Sequence, residues 1–314
     1  INKDVGIIES EIGFKEIAKR FRENKPIFIR HINPSQIDIN LNNTNKDIEN
    51  LLLTVKPLLT ILDKDKSFSV QTRILDKENK EDVNKRIYST YEVNEELSKE
   101  IGKTGTTLDV KNPEQVLSVI IYKNKAYLGI SLTEENLSSW AGGKRRLAKD
   151  ENQISRSEFK LIEAIKEFQL NIPQKKQSLD LGASPGGWTR ILRTYNHRVT
   201  AVDPADLHPS LVTDKKVSHI RKRAQDFLKT NTKNFDIMVN DMRLDIETSV
   251  NIMKISAEHL NQNGLAIMTM KLPKKQIQKS INKSLDKLQI HYKLIGARHL
   301  FHNRHEITVV LTSK

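Results

Sequence analysis

Residues 179–189 read LDLGASPGGWT. An apolar run of strand type, begun near Ser178, closes with Asp180, Leu181 and Gly182. Pro185, Gly186 and Gly187 then permit a close turn, and a helix can open near Trp188. Such a chain brings the carboxyl end of a strand against the amino end of a helix with bare backbone between them, which makes room for a small ligand. Taken alone, the turn suits any nucleotide-type cofactor and equally an ordinary tight bend.

The sequence downstream places the turn in a sheet. Helix-like and strand-like segments alternate: a helix over 157–168, a strand over 178–181, a helix from 188, strands over 198–202 and 235–240, a helix over 249–261, a strand over 265–270, a helix over 275–288, and strands over 292–300 and 306–312. This order implies an α/β fold with a mostly parallel sheet, in which ligands sit beyond the carboxyl ends of the strands. Asp180, Asp203, Asp241 and Lys271 all fall at or just after such ends.

Upstream, Phe14, Ile17, Ala18 and Phe21 have helical spacing, 26–32 reads as a strand and 51–62 as a helix. SFSVQTRIL at 67–75 alternates like a half-buried strand, 83–101 reads as a helix, and 108–110, 116–122 and 126–130 as strands. Residues 138–156, with Gly142, Gly143 and Lys144 to Arg146, have the polarity of a linker. The division expected is an α/β region of open role over 1–62, a small α+β domain over 63–140, a linker over 141–154 and the mostly parallel domain over 155–314.

The turn and the segments after it resemble the FtsJ-type methyltransferases, which bind S-adenosylmethionine and methylate the ribose 2′-hydroxyl of RNA. That resemblance implies a Rossmann-like class I methyltransferase domain. It carries a Lys, Asp, Lys, Glu tetrad onto Lys160 in ISRSEFKLIEAI, Asp241 in FDIMVNDMRLD, Lys271 in LAIMTMKLPKK and Glu306 in FHNRHEITVVL. Lys271 is the implied base, Lys160 orients the hydroxyl and lowers the pKa of Lys271, and Asp241 and Glu306 position the lysines. Cofactor contacts are implied for Ser157, Gly182, Ser184, Pro185, Gly186, Gly187, Trp188 and Asp241, for Asp203 at the ribose and for Asp226 at the adenine. On residues alone, Asp203 is equally a strand-end turn residue, Asp226 a helix N-cap and Ser157 a helix start.

The VQTR strand, LDVKNPE turn and YLGISL hairpin resemble a THUMP module, an RNA-binding unit, ahead of the catalytic domain. MKLPKKQ and LFHNRHEITV resemble a THUMP-bearing branch of the family that methylates a cytidine ribose in 23S ribosomal RNA. MRLD after Asp241 departs from the family pattern, which leaves the RNA-facing side of the site open. Ribosomal RNA is the expected partner and transfer RNA the alternative. Neither a membrane nor an obligatory protein partner is implied.

Composition narrows the chemistry further. The chain has no cysteine, which excludes disulfides, thiolate metal sites, iron–sulfur chemistry and the cysteine attack that C5 methylation of a pyrimidine generally requires. Methylation of a base amino group calls for an Asn/Asp-Pro-Pro-aromatic string where this chain reads NDMR. Net charge is +13, and it is uneven: residues 1–150 hold 25 Lys+Arg against 23 Asp+Glu, residues 151–314 hold 27 against 16. A basic surplus beside a cofactor site suits a phosphate-rich substrate. A non-catalytic RNA-binding scaffold is the rival reading, and it has no use for the tetrad. No apolar run approaches the ~20 residues of a membrane span and no signal peptide precedes Ile1, so a cytoplasmic protein is expected. The chain does not begin with methionine, which leaves an upstream targeting segment open.

Overall fold

The computed structural model describes residues 5–75 and 86–314. They fall into two compact units divided between residues 144 and 145.

The first unit runs α1 (Phe14–Glu23), β1 (Ile37–Asn40), α2 (Lys46–Val55), β2 (Phe68–Ile74), α3 (Thr90–Gly102), β3 (Gln115–Tyr122) and β4 (Lys125–Leu132). Its sheet has the order β1-β4-β3-β2, with β2 parallel to β3 and the other pairs antiparallel. Strand alternation decides the core: Phe68, Val70 and Ile74 of β2, Leu117, Val119 and Ile121 of β3, and Ala126, Leu128 and Ile130 of β4 share one buried cluster with Leu51 and Val55 of α2 and Leu97 of α3. Leu41, Leu58 and Leu62 belong to the same cluster. The division expected at 62/63 is therefore not a structural boundary, because residues on both sides of it fill one core.

Other local expectations shift as well. Residues 26–32 form no strand; Ile32 instead donates its N–H to the Asn136 carbonyl at 3.2 Å, and β1 lies further on, where Ile37 and Ile39 alternate with polar residues. Residues 108–110 contribute only a single bridge, between Leu108 and Phe68. The expected helix start at Val83 lies outside the described residues; within them α3 begins at Thr90, behind a Ser89–Glu92 capping box. Gly142 and Gly143, expected in a linker, form a short 3₁₀ turn that clusters with the first unit.

The second unit runs α4 (Glu158–Glu167), β5 (Gln177–Leu181), α5 (Gly187–Thr194), β6 (Arg198–Val202), α6 (Pro209–Val212), β7 (Val217–Ile220), α7 (Ala224–Thr230), β8 (Phe235–Asn240), α8 (Ile246–Ser256), β9 (Leu260–Lys271), α9 (Ile277–Gln289), β10 (Tyr292–Arg298) and β11 (Glu306–Ser313). The sheet order is β10-β11-β9-β8-β5-β6-β7. Strands β5 to β9 are parallel; β11 inserts antiparallel between β9 and β10. The central strands are buried on both faces, as in a sheet covered on both sides, although Ser178 and Asp180 of β5 and Asn240 of β8 are polar. Leu161, Trp188, Ile191, Val199, Ile237, Val239, Ile267 and Val310 pack together as the main core.

The chain leaves β5 for β6 and β7 on one side and returns to β8 on the other. That reversal opens a crevice at the carboxyl ends of β5 and β8, the position where such sheets accept ligands. Because β11 runs antiparallel, its first residue, Glu306, joins the same edge as the last residue of β9, Lys271.

Candidate active site

The crevice is built around the glycine turn. Gly182 and Gly186 have φ of 76° and 114°, in the left-handed region that costs other residues strain. The turn is held by β6: Gly182 donates its N–H to the Val202 carbonyl at 2.9 Å, and Ser184 donates its N–H to Asp203 Oδ2 at 3.1 Å. Ser184 Oγ donates to the Asp206 carbonyl at 2.8 Å, and the Pro185 carbonyl accepts from His208 N–H at 2.8 Å. On the far side, Gly187 lies directly against the hydroxyls of Ser155 and Ser157, so Ser157 does meet the turn. Ser157 sits at the start of α4 without capping it; its Oγ is 2.6 Å from Ser155 Oγ.

Three more of the expected cofactor groups gain a defined setting. Asp203 follows β6, and each of its oxygens accepts one backbone N–H, from Ser184 and from Ala205, leaving a second lone pair on each. Asp226 is the third residue of α7 and is exposed; Arg223, not Asp226, occupies the N-cap position. Trp188 has its side chain 2% exposed and packed in the core, its indole N–H donating to the Ser157 carbonyl at 2.8 Å. An indole with its one donor spent and its ring enclosed offers a ligand nothing but backbone.

At the other side of the crevice three tetrad side chains touch. Lys160 Nζ lies 2.9 Å from Asp241 Oδ1 and 2.6 Å from Glu306 Oε1. Glu306 is paired in register with Lys271 across β11 and β9, so the two project to one face. Thr269, two residues before Lys271, shares that face and donates its hydroxyl to Asp241 Oδ1 at 2.7 Å. Burial pulls the Lys160 ammonium down, but the carboxylates of Asp241 and Glu306 outweigh it and hold its pKa above the usual lysine value. Burial pushes the Asp241 carboxyl up, against the pull of Lys160 and Thr269. Lys160 is thus a fixed ammonium held by two carboxylates, whereas Lys271 has no ion pair or hydrogen bond among the described residues.

Two residues beside the crevice were given no role by the sequence reading. Asp180, near the end of β5, is fully buried, and that burial, reinforced by the charges of Asp241 and Asp203, pushes its pKa up to about 7; Thr189 Oγ1 donates to it at 2.6 Å and ties the first turn of α5 to β5. Thr269 was legible in principle, since strand alternation from Lys271 selects it. The carboxyl groups of Asp203 and Asp241, at the strand ends on either side of β5, make the crevice rich in acceptors and negative charge. That donor set fits a cationic nucleoside with free ribose hydroxyls and repels a pyrophosphate.

Residues 153–308 match the family model of FtsJ-like methyltransferases, and residues 45–131 that of the THUMP domain. The chain joins a THUMP domain to an FtsJ-like methyltransferase domain. The THUMP match begins at 45, ahead of the expected 63, and so takes in α2 as the shared core does. Among curated relatives, the ribosomal RNA large subunit methyltransferase M of Azotobacter vinelandii is 31% identical over 227 residues, covering 68% of this chain and 62% of that protein. Its namesake from Halorhodospira halophila is 30% identical over 215 residues, covering 66% and 60%. An uncharacterized protein of Methanocaldococcus jannaschii is 29% identical over 186 residues, covering 57% and 51%. The chain therefore spans less than two thirds of the length of the curated relatives it matches. Among the described residues, no helix is long and apolar enough to cross a membrane.

Proposed function

We propose that this protein is an S-adenosylmethionine-dependent RNA methyltransferase acting on a ribose 2′-hydroxyl of large-subunit ribosomal RNA, with a cytidine as the target nucleotide. The observation that carries the reading is the cluster of Lys160, Asp241 and Glu306 facing the register position of Lys271 at the open sheet edge. When bound, S-adenosylmethionine supplies an electrophilic methyl group on a sulfonium. Asp203 and Asp226 would hold its ribose and adenine, and the 182–187 backbone would border it. A 2′-hydroxyl is a poor nucleophile at neutral pH and needs a base or a cation at its oxygen. Lys160, kept charged by its two carboxylates, orients that oxygen; Lys271, which meets no carboxylate among the described residues, is the group that takes the proton. Asp241 sits between the cofactor side and the ammonium and is itself held by Thr269.

The relatives' name supports ribosomal RNA as the substrate, and the THUMP domain supports RNA as the partner. The test is to map 2′-O-methyl groups, as sites resistant to alkaline cleavage, in RNA from cells with and without the protein. One ribosomal site that depends on the protein is expected. An unchanged 2′-O-methyl map, or a difference confined to base methylation, removes the proposal; a site in transfer RNA keeps the chemistry and replaces the substrate.

A further inference from the structure

Helix α4 carries Lys160 into the ion-pair cluster and, at the i+3 position on the same side, Glu163, which has no task in the methyl transfer itself. Glu163 is 4% exposed. A carboxylate so enclosed is costly unless hydrogen bonds offset the lost water, and burial does push its pKa up. The compensation comes from two consecutive backbone donors: Phe301 N–H to Oε1 at 2.9 Å and His302 N–H to Oε2 at 2.8 Å. Both belong to the irregular connection 299–305, whose next residue is Glu306.

Further contacts fix this connection. Asn303 Oδ1 accepts from Leu300 N–H at 2.9 Å and from the Thr308 hydroxyl at 3.1 Å, which ties the connection to β11. His302 Nε2 faces the Arg145 carbonyl at 3.1 Å, and its ring lies 4.9 Å from that of Phe159, also on α4. Where such a connection is partly buried its N–H groups need acceptors, and Glu163 supplies two at one point.

We infer that Glu163 is a positioning residue for the methyl transfer: by fastening the 301–302 backbone to α4, it sets the distance between Lys160 on that helix and Glu306 at the end of the fastened connection. This rests on the proposed function. The two contacts are reciprocal, since α4 holds the connection through Glu163 and receives Glu306 back on Lys160 at 2.6 Å. A small drift of the connection leaves Lys160 to Asp241 alone, and the ammonium is then drawn away from the substrate oxygen. In Glu163→Gln one oxygen acceptor remains and the amide NH₂ confronts a backbone donor, so one of the two fastenings is lost.

The test is a double-mutant cycle with the full chain: wild type, Glu163→Gln, Glu306→Gln and the double variant. Transfer is measured from labelled S-adenosylmethionine to transcribed large-subunit ribosomal RNA, with cofactor affinity by calorimetry and folding by thermal melting. Glu163→Gln is expected to lower kcat by about 10- to 100-fold, the scale of a misplaced catalytic group, with cofactor Kd and RNA KM within about twofold. In the Glu306→Gln background the same substitution should cost less than about twofold more, because the group it positions has gone. Losses that multiply in full, or a fall in cofactor affinity equal to the fall in kcat, overturn the inference. Should the amide variant not fold, Glu163→Asp, which keeps the charge and both acceptors on a shorter stem, is read in the same cycle by the same criteria. A wild type that transfers no methyl group to RNA removes the proposed function and this inference with it; multiplying losses in an active enzyme remove only the role of Glu163.

Discussion

Lys160 and Lys271 are the same residue type at one sheet edge in opposite surroundings, and the difference separates the roles proposed for them. Two carboxylates hold the first as an ammonium, and the second meets none among the described residues. Lys271→Ala is therefore expected to lower methyl transfer by at least about 100-fold, the range for removal of a general base, with cofactor affinity changed by no more than a few-fold in calorimetry. Normal turnover in that variant removes Lys271 from the chemistry. Asp180 supports a prediction of the opposite kind, about stability. Its folded pKa of about 7 lies above the unfolded value near 3.9, so between those values the folded state binds the extra proton. Stability from this group is present at low pH and lost as pH rises from about 4 to about 7, roughly 4 kcal/mol for a shift of this size. Asp180→Asn, which cannot ionise, should gain in melting temperature relative to wild type between pH 5 and pH 8; a gap that is constant or narrows with pH contradicts the buried neutral carboxyl. At this scale the grouping of Lys160, Asp241 and Glu306 near Lys271 was anticipated because each stands in a recognisable string. Glu163 and Thr269 were not assigned because their partners lie far off in sequence, 138 and 139 residues away for the first and 28 for the second. The burial of the Trp188 indole was not legible, because a motif does not show which way a side chain points.

At the scale of elements, periodicity found what was long enough to have a period. The strands at 198–202 and 235–240 fall where alternation and apolar runs put them. α6 and β7, of 4 residues each, are too short for a recurring pattern to show and were not assigned. The glycine turn is the element on which both the fold and the site depend. At Gly186 the backbone has φ of 114°, and a methyl group there would also meet the Leu211 side chain of α6. Gly186→Ala thus combines backbone strain with overpacking, and a loss of about 2 to 4 kcal/mol in denaturant unfolding is expected. Cofactor affinity should fall with it, because the turn can relieve the strain only by leaving the crevice. A variant with undiminished stability shows that the turn is not held in this conformation.

The order of the whole sheet was beyond sequence reading for a different reason. β11 pairs with β9 across the intervening α9 and β10, and no local pattern records which distant strand a segment will join. Yet this insertion brings Glu306 to Lys271 and so completes the proposed site. Charge, by contrast, is additive along the chain, and its bias toward residues 151–314 was plain without any structure. The fold gives that bias a location. Lys274 and Lys275 follow directly after β9 and Lys271, and Arg221, Lys222 and Arg223 follow β7, so both exposed basic groups leave the carboxyl edge of the same sheet. An RNA strand laid over that edge would present phosphates to them while a ribose enters the crevice. Each phosphate neutralised by a cation releases counterions, which makes binding fall with salt in proportion to the number of contacts. Replacing Lys274 and Lys275 with alanine is expected to weaken binding of transcribed ribosomal RNA at low salt and to reduce the slope of log K against log salt by about 1 to 2, leaving cofactor affinity as it was. Neither lysine touches the tetrad or the glycine turn in any described contact, so a change in cofactor binding would point to a distorted edge. An unaltered salt slope would mean that the RNA approaches the crevice from elsewhere, and the basic surplus of this half would then be a property of its surface with no part in holding the substrate.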